Sequence, residues 1–144
     1  MSYDAIEIEE RQTASSELPK TSAPAQSFRD LQVWQKSMNL TLEVYRLTKP
    51  FPREEMFGLT SQLRRCAVSI PSNIAEGHGR MNPREFRHFL LIARGSNSEL
   101  QTQLEISNEL EFADPQKVVS AQFLSREIEK MLTGLVGNLR NTDS

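Results

Sequence analysis

Apolar residues along this chain recur at helical rather than strand spacing, and the pattern begins only at Phe28. At about 100° per residue, Val33, Leu40, Val44 and Leu47 form one stripe, with Leu31, Trp34, Met38, Leu42 and Tyr45 forming a second beside it. With Asp30 as N-cap, the spacing predicts a helix to about Thr48 that buries a wide arc. Pro50 and Pro52 stop it. A second helix is expected from about Glu55, with Leu59, Leu63, Cys66, Ile70 and Ile74 on one face. Pro71 lies inside that pattern, and because Asn73, Ile74 and Ala75 resume the apolar phase, a helix kinked at Pro71 is expected rather than two helices. Gly77 and Gly79 are expected to end it, one of them in the left-handed conformation that suits glycine.

Asn82-Pro83-Arg84-Glu85 then supplies an N-cap, a first-turn proline and a glutamate three residues after the cap. The helix it opens should reach about Phe112. Phe86, Phe89, Leu90, Ala93, Leu100 and Leu104 line one face, while a second stripe of Ile92, Ile106 and Leu110 also contains Glu99 and Gln103. Asp114-Pro115 repeats the device for a fourth helix, with Val118, Phe123 or Leu124, Ile128, Met131 or Leu132, and Leu135 inward, and with Gly137 and Asn138 closing it. Four helices with short connections predict an all-α, antiparallel up-down-up-down four-helix bundle over residues 28–144. Two apolar stripes on the first and third helices exceed what one small bundle needs, so a homo-oligomer is expected. Residues 1–27, rich in Ser, Thr, Pro and Glu, read as a disordered tail.

Charge sharpens this picture. The formal net charge of -2 hides a tail with five carboxylates against two cations. Between Arg64 and Arg94, by contrast, six arginines face only Glu76 and Glu85. Arg64, Arg65, Arg80, Arg84, Arg87 and Arg94 are therefore candidate phosphate contacts, against the plainer reading of a solvated face. No aromatic residues interleave with them to stack bases, so any RNA contact should be mainly to phosphate. The lone Cys66 excludes an intrachain disulfide, and its place in an apolar stripe reads as a small buried hydrophobe. No apolar run approaches the roughly 20 residues that cross a bilayer, and the amino end does not resemble a secretory signal, so a cytoplasmic setting without a membrane partner is expected.

Catalytic patterns fare poorly. Gly77-His78-Gly79 lacks the third glycine and the preceding strand of a dinucleotide loop. His78 and His88 share no ligand spacing, and Glu85-Phe86-Arg87-His88 supplies the Glu-x-x-His of di-iron bundles only once. No enzyme, metal or cofactor is expected. Asn73, Glu76, Ser96, Glu99 and Gln103 remain as polar residues within or beside apolar stripes, and they read as hydrogen-bonded glue between helices or subunits, with Arg64, Arg65 or Arg94 as possible partners for the carboxylates. Pro71, Gly77 and Gly79 read as a structural joint.

The runs FRDLQVWQKSMNL, FPREEMFGLTSQLRRCAVSIPSNIAEGHGR and EFRHFLLIARGSNSELQTQLEIS closely resemble the four-helix-bundle proteins encoded in bacterial 23S rRNA intervening sequences. The likeness covers about Phe28 to Arg140, with SIPSNIAEG and ARGSNSELQTQL as its signature. It implies a left-handed bundle assembled as a homopentamer, in a family whose biochemical role is not established and whose RNA association is inferred from gene location. A related group serves reverse transcriptases of diversity-generating retroelements as accessory subunits. Those relatives are strongly basic, whereas this chain has a pI near 5.8. Two functions follow as expectations: a non-enzymatic oligomeric module contacting structured RNA or a ribonucleoprotein through the arginines, or a protein-binding scaffold such as a polymerase accessory subunit.

Overall fold

The computed structural model describes residues 27–142. They form α1 (Gln32–Thr48), α2 (Leu59–Gly79), α3 (Pro83–Glu109) and α4 (Pro115–Thr142), with short 3-10 turns at Phe28–Asp30 and Arg53–Glu55 and no strand among the described residues. α1 and α3 each pack against both α2 and α4, while the diagonal pairs do not meet, so the section is square. Side-chain partners advance along one helix as they retreat along the next, the order that antiparallel neighbours give. Lys36 meets Glu127 and Glu43 meets Ser120 across α1 and α4, and Cys66 meets Glu99 and Ser69 meets Ser96 across α2 and α3. The expected acidic tail lies outside the described residues.

The core is aliphatic. Leu40, Val44, Leu47, Leu63, Ile70, Ile74, Leu90, Leu100, Leu104, Ile128 and Leu132 are fully buried, each contributing about 1.5–3 kcal/mol through burial. Of the paired alternatives on α4, Leu124 and Leu132 turn inward, while Phe123 is exposed. The second stripe of α1 is only half-buried, and its Tyr45 is exposed.

Helix ends depart from the expected caps. Asp30 belongs to a 3-10 turn that Ser27 caps, and α1 starts after Leu31, which takes extended backbone angles. Glu55 precedes α2 and caps it from outside, its carboxylate accepting from the Leu59 backbone N–H at 3.0 Å. Neither Gly77 nor Gly79 adopts a positive φ. The left-handed residue is Met81, at φ 55°, and Gly77 lies within the helix for another reason. A Cβ at Gly77 would sit 2.6 Å from Phe89 Cβ and 3.3 Å from the Phe86 carbonyl oxygen, so glycine there lets α3 approach α2 closely. α3 ends at Glu109, short of Phe112. Glu111 takes φ 58°, and the Phe112 N–H reaches back to the Ser107 carbonyl at 3.1 Å in a Schellman-type closure. α4 continues through Gly137 and Asn138 to Thr142.

α2 runs on as one element through Pro71, which is buried. Proline has no N–H, so the Ala67 carbonyl four residues earlier loses its helical donor. The Thr41 hydroxyl of α1 lies 3.0 Å from that oxygen and also 2.8 Å from the Ser37 carbonyl, sharing its proton between them. A threonine on the neighbouring helix thus satisfies the acceptor that the proline leaves open.

Candidate functional site

Where α2 and α3 meet, their outward edges form a polar seam. Asn73 donates to the carbonyl and hydroxyl of Ser69 at 2.8 and 2.9 Å, and the Ser69 and Ser96 hydroxyls are 2.9 Å apart. Farther along, the Cys66 thiol donates to the Glu99 carboxylate at 3.4 Å, and Gln103 donates to the Gln62 side-chain oxygen, also at 3.4 Å. Four of the five expected glue residues, Asn73, Ser96, Glu99 and Gln103, therefore lie in one seam. Glu76 does not join it: its carboxylate pairs with Arg80 at 2.9 Å, one turn on along the chain. The carboxylate in the seam is held by a thiol rather than an arginine. Gln103 is only 6% exposed, and its Oε1 has no hydrogen-bond partner among the described residues. Beside this seam Ile92, Ile106 and Leu110 present 40–53% of their surface.

Six candidate arginines do not form one patch. Arg64 is turned toward α1, donating from Nε to the Thr48 hydroxyl at 2.9 Å and stacking on the Tyr45 ring at 4.6 Å. Arg80 is held by Glu76, by Glu85 at 3.7 Å and by the face of Phe89. Arg65 is exposed at the seam. On α3, Arg87 and Arg94 share a helical phase with Gln101, which bonds Ser125 and Glu129 of α4. These two arginines thus flank α4, on the opposite side of α3 from the seam, with Arg84 at the helix start. Neither Arg87 nor Arg94 has a carboxylate within ion-pair distance among the described residues, and the buried Arg87 Nε has no acceptor. An ion-pair network does not consume their charge.

Cys66 is in no state to attack a substrate. Burial, with the neighbouring Glu99 carboxylate, pushes its thiol up to about 11, which keeps it protonated at neutral pH. His78 stands edge-on to Phe86 and His88 edge-on to Phe89, and no group of three His, Cys, Asp or Glu residues suited to a metal ion occurs among the described residues. No helix among them is long and apolar enough to cross a membrane.

Several buried polar residues escaped the sequence reading, and one pair of them joins two helices. Asn97 and Ser125 are buried at 1% and 0% exposure, and each both donates and accepts across α3 and α4. Asn97 Nδ2 reaches the Ser125 carbonyl at 2.9 Å, and the Ser125 hydroxyl reaches Asn97 Oδ1 at 2.7 Å. Asn97 lies within one turn of Ala93 and Leu100 on the core face, and that phase was the available signal.

Fold and surfaces together define a four-helix bundle with a polar, part-apolar outer seam and a cationic helix row. Within that class, the family model of the 23S rRNA-intervening sequence protein matches residues 29–134, and the chain belongs to this family. A crystal structure of a protein of unknown function, from the S23 ribosomal protein family of Bacteroides thetaiotaomicron, superposes with a TM-score of 0.65 at 24% identity, covering 72% of this chain and 97% of that one. That likeness shows the shared fold. No curated protein matches.

Proposed function

We propose that this chain is a non-enzymatic, self-associating helical module that contacts structured RNA or a ribonucleoprotein through the cationic row of α3. The observation that carries the RNA reading is the row itself: Arg87 and Arg94 make no ion pair among the described residues, and Arg84 stands exposed at the helix start. Guanidinium forks suit phosphate oxygens. The seam of α2 and α3 supplies the self-association surface, where Ile92, Ile106 and Leu110 stand exposed beside its polar groups. A second copy would cover these apolar side chains. The family's association with 23S rRNA intervening sequences and a cytoplasmic setting fit this reading, and a homopentamer is the assembly we assign.

Binding of purified protein to cellular ribosomal RNA at low and moderate salt tests the RNA role. Affinity should fall steeply with salt, and Arg84→Glu, Arg87→Glu and Arg94→Glu together should abolish it while the helical content is unchanged. Salt-insensitive binding, or binding that survives the triple change, refutes it. The second reading, a protein-binding scaffold, draws on a partly apolar groove along α1 and α2. It predicts a protein partner recovered after nuclease treatment.

A further inference from the structure

A groove of about 910 Å³ runs along the outer face of α1 and α2, from Lys49 and Phe57 toward Asn73. Neither the seam nor the α3 row uses most of it. Among the described residues its lining includes four cations, Lys49, Arg53, Arg64 and Arg65, and not one carboxylate. Apolar side chains stand among those charges: Phe57 is 93% exposed and Met56 54%, with Tyr45 and Val68 close to 40%. Such a surface suits an acidic segment that also carries apolar anchors.

This chain contains one. Residues 3–10 read Tyr-Asp-Ala-Ile-Glu-Ile-Glu-Glu, four carboxylates interleaved with Ile6 and Ile8. In an extended conformation, side chains two apart share an edge, so both isoleucines would face one way while Glu7 and Glu9 face the other. In a helix the two isoleucines would point to nearly opposite sides. We infer that this acidic segment docks, extended, in the cationic groove of its own chain, with Ile6 and Ile8 against Phe57 and Val68 and its carboxylates beside Lys49, Arg53 and Arg65.

Reach supports the assignment. The described chain begins at Ser27, beside the start of α1, whereas Tyr45 and Lys49 stand at the far end of that helix. A helix of 17 residues is about 25 Å long. If the intervening residues, about 20 of them, behave as a random coil, their root-mean-square span would be roughly 25 Å, the length at which an intramolecular site is reached most readily. Because Arg64 and Arg65 line the groove, its occupancy would also screen the cations of α2 from any phosphate partner.

Photo-crosslinking of the full chain tests this. With Phe57→p-benzoylphenylalanine, an exposed position that the core does not use, irradiation should link position 57 to residues 1–16, read by mass spectrometry. Raising the salt to 0.5 M, or introducing Ile6→Ser with Ile8→Ser, should each cut the yield at least fivefold, and Arg53→Glu should weaken it as well. Mixing isotope-labelled and unlabelled protein identifies whose segment is captured. Links within one chain support the inference. Links between copies, links elsewhere, no links, or a yield indifferent to the isoleucines overturn it.

Discussion

Thr41→Val should expose how the bundle tolerates a proline inside α2. Valine keeps the shape of threonine but cannot donate to the Ala67 carbonyl, which lies in a fully buried residue and has lost its helical donor to Pro71. Leaving such a group unsatisfied costs about 1–3 kcal/mol. The other acceptor of the hydroxyl, the Ser37 carbonyl, also receives an ordinary helical bond, so its loss matters little. Allowing for the apolar gain from valine, the net loss should be about 1–2 kcal/mol, a fall of roughly 4–8 °C in Tm for a domain of this size. Pro71→Ala restores an N–H positioned for Ala67. In that background Thr41→Val should cost close to nothing, giving a coupling of about 1–2 kcal/mol. Urea unfolding of the four proteins at one fixed concentration, followed by far-UV circular dichroism, measures the cycle. An equal cost of Thr41→Val in both backgrounds would refute the argument.

Gly77→Ala should destabilise by about 2 kcal/mol or more, because its Cβ meets Phe89 Cβ at 2.6 Å, whereas Gly79→Ala, whose Cβ would meet no atom of the described residues within 4 Å beyond its chain neighbours and its own helix backbone, should stabilise by about 0.5–1 kcal/mol. Thermal melts of the two variants distinguish this from a shared turn-forming role. Cys66 should react slowly with a thiol reagent at pH 8 in the native protein and faster in urea. Its folded pKa of about 11 is raised, so its contribution to stability is complete below the unfolded value and is lost as pH rises from about 9 through 11; unfolding of Cys66→Ser across that window should lack this component.

Element number, order and core were legible because apolar spacing on each helix is regular and each connection carries its own punctuation. Ends were less so. Glycine at positions 77 and 79 suggested a left-handed terminus, but packing against Phe86 and Phe89 explains Gly77, and Met81 takes the strained turn instead. The seam was half legible: Glu99 and Gln103 stood out within an apolar stripe, yet a single helix cannot show that Glu99 faces a thiol on its neighbour. Arginine spacing in sequence suggested one patch because helix-to-helix phase is invisible there. Only the packed bundle separates Arg64, committed to Tyr45 and Thr48, from Arg87 and Arg94 on the far flank of α3.

Self-association through the α2 and α3 seam is the central claim, and light scattering of the purified protein tests it most directly. The account predicts a mass several times 16.4 kDa, reduced to that single-chain value by Ile106→Glu with Leu110→Glu, two positions exposed enough for the bundle to keep its fold. A wild-type mass of 16.4 kDa, or an assembly that the double change leaves intact, would contradict it.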